Sequence, residues 1–145
     1  MPPAKKRTAL IVDDDSTLRY VLGRLARLAG FEILEANNSS VAMELATANV
    51  PDVVVADVRL PHYDGFELCK RLKSDRATKP IPVVLVTSMY YQSSKNPGSV
   101  AEGKKKAREA GAIDLLPRGE ALDALGPMLE GLMAGSNRKR TSKRR

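Results

Sequence analysis

Five short apolar runs alternate with five stretches of helical periodicity along the 145 residues, and this order predicts an α/β sandwich on a parallel sheet. Three observations carry that expectation. The alternation itself is the first, because neighbouring parallel strands need a helix-length crossover. The unbroken apolar runs VVVA (Val53–Ala56) and VVLV (Val83–Val86) are the second, since strands covered on both faces read this way. The third is the placement of acids and hydroxyls directly after those runs, at Asp13–Asp15, Asp57 and Thr87–Ser88.

The elements follow in order. TALIVD (Thr8–Asp13) is a β-branched run that ends in acids. Ser16–Gly30 has apolar residues at 18, 21, 22, 25 and 28, with Ser16 as expected N-cap and Gly30 as the stop. FEILEA (Phe31–Ala36) alternates as a strand, and Ser39–Ala48 is an Ala-rich helix. Pro51 precedes the strand DVVVAD, and a loop containing Pro and Gly leads into the amphipathic helix Phe66–Asp75. Ile81–Ser88 is the fourth strand, Met89–Val100 a loop broken by Pro97 and Gly98, and Ala101–Gly111 a charged helix. Ala112–Leu116 is the fifth strand. Leu122, Leu125, Leu129 and Leu132 are expected to line one face of the last helix. Five strands at this length favour the flavodoxin-like (βα)5 arrangement, a three-layer sandwich of sheet order 2-1-3-4-5. A six-stranded dinucleotide fold needs more chain, and no GxGxxG follows the first strand.

Composition narrows the setting. With aromatics at 4% and no Trp, the core must be aliphatic. A single cysteine, Cys69, excludes an internal disulfide and suits a reducing compartment. MPPAKKRTALIVDDD meets Asp13 after too few apolar residues for a signal peptide, and no run is long enough to span a membrane, so a cytoplasmic protein is expected. The formal charge of +7 is local. Six of the 24 basic residues (Arg138, Lys139, Arg140, Lys143, Arg144 and Arg145) crowd the end of the chain, and the remaining 18 face 17 acids. The organisation expected is a disordered 1–6, a folded domain over 7–134 and a basic, disordered tail over 135–145.

In the order 2-1-3-4-5, strands 1 and 3 are neighbours, and ligands bind at the crevice between their carboxyl ends. Asp13 and Asp14 end one strand and Asp57 ends the other, so their like charges must be relieved by a proton or a cation. Oxygen-only ligands suit a hard ion, and Mg²⁺ is the usual cellular choice. Thr87 and Ser88 offer hydroxyl donors, and Arg118 after strand 5 offers a fixed cation. Metal-holding acids, a spare carboxylate, hydroxyls and a cation together suit a transferable phosphoryl group, with Asp57 as the nucleophile that forms an acyl phosphate.

Through IVDDD, VVVADVRLPHYDGFEL, VLVTS and GAIDLLPRG, residues 7–134 resemble a response-regulator receiver domain of the CheY-like kind. The resemblance implies Mg²⁺ held by Asp13, Asp14, Asp57 and the backbone carbonyl of Arg59. It further implies phosphorylation of Asp57, a switch hydroxyl at Thr87, and phosphoryl binding by Thr87, Ser88 and Arg118. A sensor histidine kinase or phosphotransfer protein is the implied donor. Output is implied through protein–protein contacts at the face of helix 4, strand 5 and helix 5. Three positions depart from the family pattern. Arg118-Gly119 stands where Lys-Pro, usually behind a cis peptide, is common; Arg keeps the charge but is larger and planar. Leu115 stands where an aromatic is frequent, and the stretch around MYYQSSKNPG is longer than usual, with Tyr90 or Tyr91 as candidate replacement rings. Arg59 adds a second cation beside the pocket, able to hold the phosphoryl group or pair with Asp14.

Plainer roles stand beside these. Capping of the first helix accounts for Asp15. His62 reads as a surface residue, Cys69 as packing or bland surface, and Lys104, Lys105, Lys106 and Arg108 as a solvated helix face or a dock for an acidic partner. A pseudo-receiver, signalling by contact without phosphorylation, is the main alternative. A phosphatase of the haloacid-dehalogenase type would want a second Asp where Arg59 stands. The 138–145 run suits non-specific nucleic acid or anionic lipid contact, and without aromatics it is poorly equipped to read sequence.

Overall fold

The structure is a computed structural model that describes residues 6–87 and 97–143, with side chains left out at 97–99 and 135–143. Ser88, Tyr90, Tyr91 and most of the long 89–100 stretch therefore lie outside the described residues, as do 1–5 and 144–145. Ten elements alternate: β1 (Arg7–Val12), α1 (Ser16–Leu28), β2 (Phe31–Ala36), α2 (Ser39–Asn49), β3 (Val53–Asp57), α3 (Gly65–Ser74), β4 (Val83–Thr87), α4 (Pro97–Ala110), β5 (Asp114–Pro117) and α5 (Arg118–Lys143). All strand pairs are parallel, and the sheet order is β2-β1-β3-β4-β5, as the alternation predicted.

Strand periodicity divides the core. Leu10, Val12, Val54, Ala56, Val83 and Leu85 face one layer with α2, α3 and α4, while Ala9, Ile11, Val53, Val55, Val84 and Val86 face α1 and α5. Every residue of β3 and β4 is buried, so these strands have no solvent face and no need of polar alternation. Each Val fully buried here contributes about 1.5–3 kcal/mol of transfer free energy.

Several boundaries differ from the sequence expectation for identifiable reasons. Of the two caps expected for α1 the structure selects Asp15 over Ser16, its carboxylate accepting from the N–H groups of Thr17 (2.9 Å) and Leu18 (3.3 Å). Asn38 caps α2 through Val41 N–H at 2.8 Å. Asp64 caps α3 through Glu67 N–H at 2.8 Å. Helix α4 begins at Pro97, before the expected Ala101, because proline fits a first helical turn whose N–H groups lack internal partners. Strand β5 shifts to Asp114–Pro117 because Ala112 N–H still closes the end of α4 on Ala107 O.

On α5 the expected apolar face is corrected. Leu122 is 48% exposed, and the buried positions are Ala121, Leu125 and Leu129. The helix starts directly at Arg118, and the i, i+4, i+8 row beginning at Ala121 is the one turned toward α1 and the sheet. Leu132 and Met133 are the last residues packed on this core. Helical backbone nevertheless continues past the expected boundary at Ala134 to Lys143. Backbone hydrogen bonding can extend a helix without an apolar stripe; the side chains there are outside the described set.

Candidate functional site

The site lies where β1 and β3 end side by side. Register pairs Val12 with Ala56, Asp57 with Val86 and Thr87 with Pro117, so the residues that follow these strands emerge on one rim. Asp13 N–H still pairs with Ala36 O of β2 at 3.1 Å, which fixes its backbone while its side chain is fully buried. Its Oδ1 accepts from Asp15 N–H at 2.9 Å. Arg19 Nη1 donates to Asp13 O at 2.7 Å, and its Nε bonds Glu35 at 3.1 Å. Helix α1 therefore braces the carboxyl end of β1 from outside.

Asp57 ends β3 at 4% exposure, with its Oδ1 accepting from Arg59 N–H at 3.2 Å. Asp14 is exposed. One carboxylate oxygen from each of Asp13, Asp14 and Asp57 lies within 4.8 Å of the others, so the three acids converge as the sequence order required. The electrostatic result is tension. Burial first, then the neighbouring charges of Asp57, Asp14 and Asp15, push Asp13 from its ordinary 3.8 up to about 7. Asp57 is also raised, burial being the main cause; the N–H groups of Arg59 and Val58 and the Arg118 guanidinium pull the other way. Asp13 Oδ2 is buried with no hydrogen-bond partner among the described residues. A buried carboxylate oxygen unsatisfied among the described residues, within a cluster of like charges, fits a hard divalent cation such as Mg²⁺.

The other expected residues distribute unevenly. Thr87 ends β4 buried, its Oγ1 also without a hydrogen-bond partner among the described residues. Arg118 opens α5 directly after β5 and acts electrostatically on Asp57. Arg59 is exposed and, with Asp14, Val58, Leu60, Pro61 and Asp64, lines an open depression of about 510 Å³. Ser88 lies outside the described residues. Leu115 is fully buried as an ordinary core residue. His62 is exposed at φ +80° in the β3–α3 loop, and no cis peptide occurs among the described residues. Cys69 is fully buried with Sγ 3.2 Å from Ala110 O, and burial pushes its thiol up to about 11.

Three contributors escaped the sequence reading. Gly65 opens α3 where an added Cβ would sit 2.5 Å from Asp57 O and 3.0 Å from Val58 Cα. Only glycine lets α3 start against the carbonyl of the candidate acceptor; the Asp64-Gly65 pair before a helix was the available signal. Ser39 ties α2 to the β3–α3 loop, donating to Pro61 O at 2.8 Å and accepting from Tyr63 N–H at 3.0 Å. Lys104, expected on a solvated helix face or partner dock, is instead half-buried and fastens α4 to β5 through Asp114 Oδ1 (3.1 Å) and Leu115 O (3.0 Å).

The family model for the response regulator receiver domain matches residues 9–129. Protein PilH of Pseudomonas aeruginosa is 32% identical over 126 residues, covering 87% of this chain and 97% of PilH. A solved response regulator from Chloroflexus aurantiacus superposes with a TM-score of 0.76 at 32% identity, covering 90% of this chain and 99% of that one. Histidine kinase P4 of Formosa agariphila is 43% identical over 84 residues, which is 58% of this chain but 6% of the kinase. The chain spans less than half the length of the first three curated relatives it matches. Among the described residues no helix is long and apolar enough to cross a membrane.

Proposed function

The chain belongs to the response regulator receiver domain family, and we propose that it acts as a phosphoacceptor in two-component signalling with Asp57 as the accepting residue. The observation that carries this reading is the convergence of Asp13, Asp14 and Asp57 oxygens within 4.8 Å of one another, with Asp13 Oδ2 buried and without a hydrogen-bond partner among the described residues. Asp13, Asp14, Asp57 and the Arg59 carbonyl would hold Mg²⁺. Bound there, the ion supplies charge neutralisation for the acids and for the incoming phosphoryl oxygens.

The protein's own part is positioning and electrostatics. An Asp57 oxygen attacks the phosphorus of a phosphohistidine on a partner kinase or phosphotransfer protein. The new P–O bond forms as the P–N bond breaks, and the imidazole leaves with the bonding pair and takes up a proton. Asp57 must be ionised to attack. Burial opposes that, while the Arg59 and Val58 N–H groups and the Arg118 guanidinium favour it. Thr87, Ser88 and Arg118 would then take the phosphoryl oxygens. The unsatisfied Thr87 hydroxyl is suited to turn toward a new acceptor, which would carry the change to the α4–β5–α5 face and an effector protein. Its setting would be the cytoplasm.

Incubation with acetyl phosphate and Mg²⁺ tests the proposal by intact mass. One phosphoryl group should add to the wild type and none to Asp57→Asn. An unchanged wild-type mass, or an adduct that persists in the variant, refutes it. A phosphorylation-independent adaptor is the second reading, favoured by Arg118-Gly119 and by Leu115 sitting in the core where a mobile ring would be needed. It requires Asp57→Asn to bind the effector as well as the wild type does.

A further inference from the structure

The β3–α3 loop, residues 58–64, carries the Arg59 carbonyl and closes on itself where Gly65 N–H donates to Val58 O at 2.8 Å. It is pinned at two further points. Beside the acids, Arg59 N–H donates to Asp57 Oδ1 at 3.2 Å. On the far side the loop is held by Ser39, a fully buried residue in the first turn of α2. Ser39 Oγ donates to Pro61 O at 2.8 Å and accepts from Tyr63 N–H at 3.0 Å. Ser39 N–H also reaches Pro61 O at 3.4 Å, and the Tyr63 hydroxyl donates to Ser39 O at 3.2 Å. One serine is thus joined to the loop by four hydrogen bonds. Its hydroxyl is available for this because Asn38 caps α2. Leu60 and Tyr63 pack on the core, and the Arg71 guanidinium lies 4.0 Å from the centre of the Tyr63 ring. Between Pro61 and Tyr63, His62 sits at φ +80°, a conformation that a residue with a side chain keeps only where its neighbours enforce it.

We propose that Ser39 and Tyr63 are positioning residues for the candidate Mg²⁺ site, aiming the Arg59 carbonyl from outside the cluster of acids. This role presupposes Mg²⁺ at Asp13, Asp14 and Asp57. A backbone carbonyl has no rotamer to choose and is aimed only by the peptides on either side of it. For Arg59 those peptides run from the pin at Asp57 to the pin at Pro61, and Ser39 supplies the second. Mg²⁺ demands near-ideal octahedral geometry, so a carbonyl turned out of line is a poor ligand. Attaching the loop to α2 for stability alone is the competing role. It would change the unfolding free energy and leave the Mg²⁺ affinity of the folded chain unchanged.

Isothermal titration calorimetry of the full 145-residue chain with magnesium chloride separates the two, at a temperature where circular dichroism shows each variant folded. Ser39→Ala removes the Oγ bonds to Pro61 and Tyr63 and should weaken Mg²⁺ binding about tenfold, the lower end for a partner that orients a metal ligand. Tyr63→Phe keeps a ring over Arg71, loses only the bond to Ser39 O and should weaken binding about two- to threefold. Ala46→Gly, buried in the middle of the same helix, destabilises α2 without touching the loop and should bind like the wild type. Wild-type affinity in Ser39→Ala overturns the positioning role and leaves the metal site standing, as does an equal loss in Ala46→Gly. Where Ser39→Ala does not fold, Tyr63→Phe decides, and wild-type affinity there overturns the role. A wild type that takes up no Mg²⁺ overturns the metal site itself and this role with it.

Discussion

Replacing Asp13 with Asn should stabilise the metal-free protein, and more at pH 8 than at pH 5. In the folded chain Asp13 holds its proton up to about pH 7, against an ordinary value of 3.8, because it is fully buried beside other acids. Below about pH 4 both folded and unfolded chains are protonated there, and the residue costs nothing. As pH rises toward 7 the unfolded chain ionises and the folded one does not, so stability falls with pH; above 7 the loss is complete. A gap of about 3 pH units at 1.36 kcal/mol each makes the full loss about 4 kcal/mol. At pH 5 only about 1.5 kcal/mol of it has appeared. An Asn side chain keeps the oxygen that accepts from Asp15 N–H at 2.9 Å and loses the charge. Urea unfolding in chelator should therefore show a gain for Asp13→Asn that is about 2.5 kcal/mol larger at pH 8 than at pH 5. Saturating Mg²⁺ should shrink or reverse the gain, since an ion that binds the folded wild type stabilises it. A gain that does not change with pH, or a variant less stable than the wild type at pH 8 in chelator, refutes the reasoning.

Gly65→Ala should cost about 1–3 kcal/mol in urea unfolding and slow acetyl phosphate labelling, because its Cβ meets Asp57 O at 2.5 Å; labelling and stability equal to wild type would contradict this. Val50→Asn should raise the urea midpoint by about 1 kcal/mol of stability, since a β-branched residue at φ 44° ends α2 in the left-handed region; a lower midpoint would count against it. Thr87→Val should leave the unphosphorylated protein as stable or up to about 1 kcal/mol more so, because it removes a buried hydroxyl with no partner among the described residues. The same variant should still take up one phosphoryl group by intact mass; a stability loss above about 1 kcal/mol would mean the hydroxyl is bonded.

The fold was legible because its signals are local. Apolar runs at Val53–Ala56 and Val83–Val86 can be buried only as strands covered twice, and their alternation with helices leaves few topologies. The acids were legible for the same reason: Asp13, Asp14 and Asp57 end strands that the sheet order makes neighbours. Helix caps were less so, because Asp15 and Ser16, or Asn38 and Ser39, compete on equal chemistry and backbone direction decides between them. The α5 face misread Leu122 because the sequence offers two overlapping i, i+4 rows, and contact with α1 selects the one through Ala121.

By itself, then, the sequence determined the strand order, the two covering layers and the identity of the carboxylates, all properties of pattern along the chain. Tertiary structure alone decided the 2.5 Å clearance that requires Gly65 and which oxygens, Asp13 Oδ2 and Thr87 Oγ1, are buried without a hydrogen-bond partner among the described residues. These depend on distances between segments far apart in sequence, and only the packed chain fixes such distances.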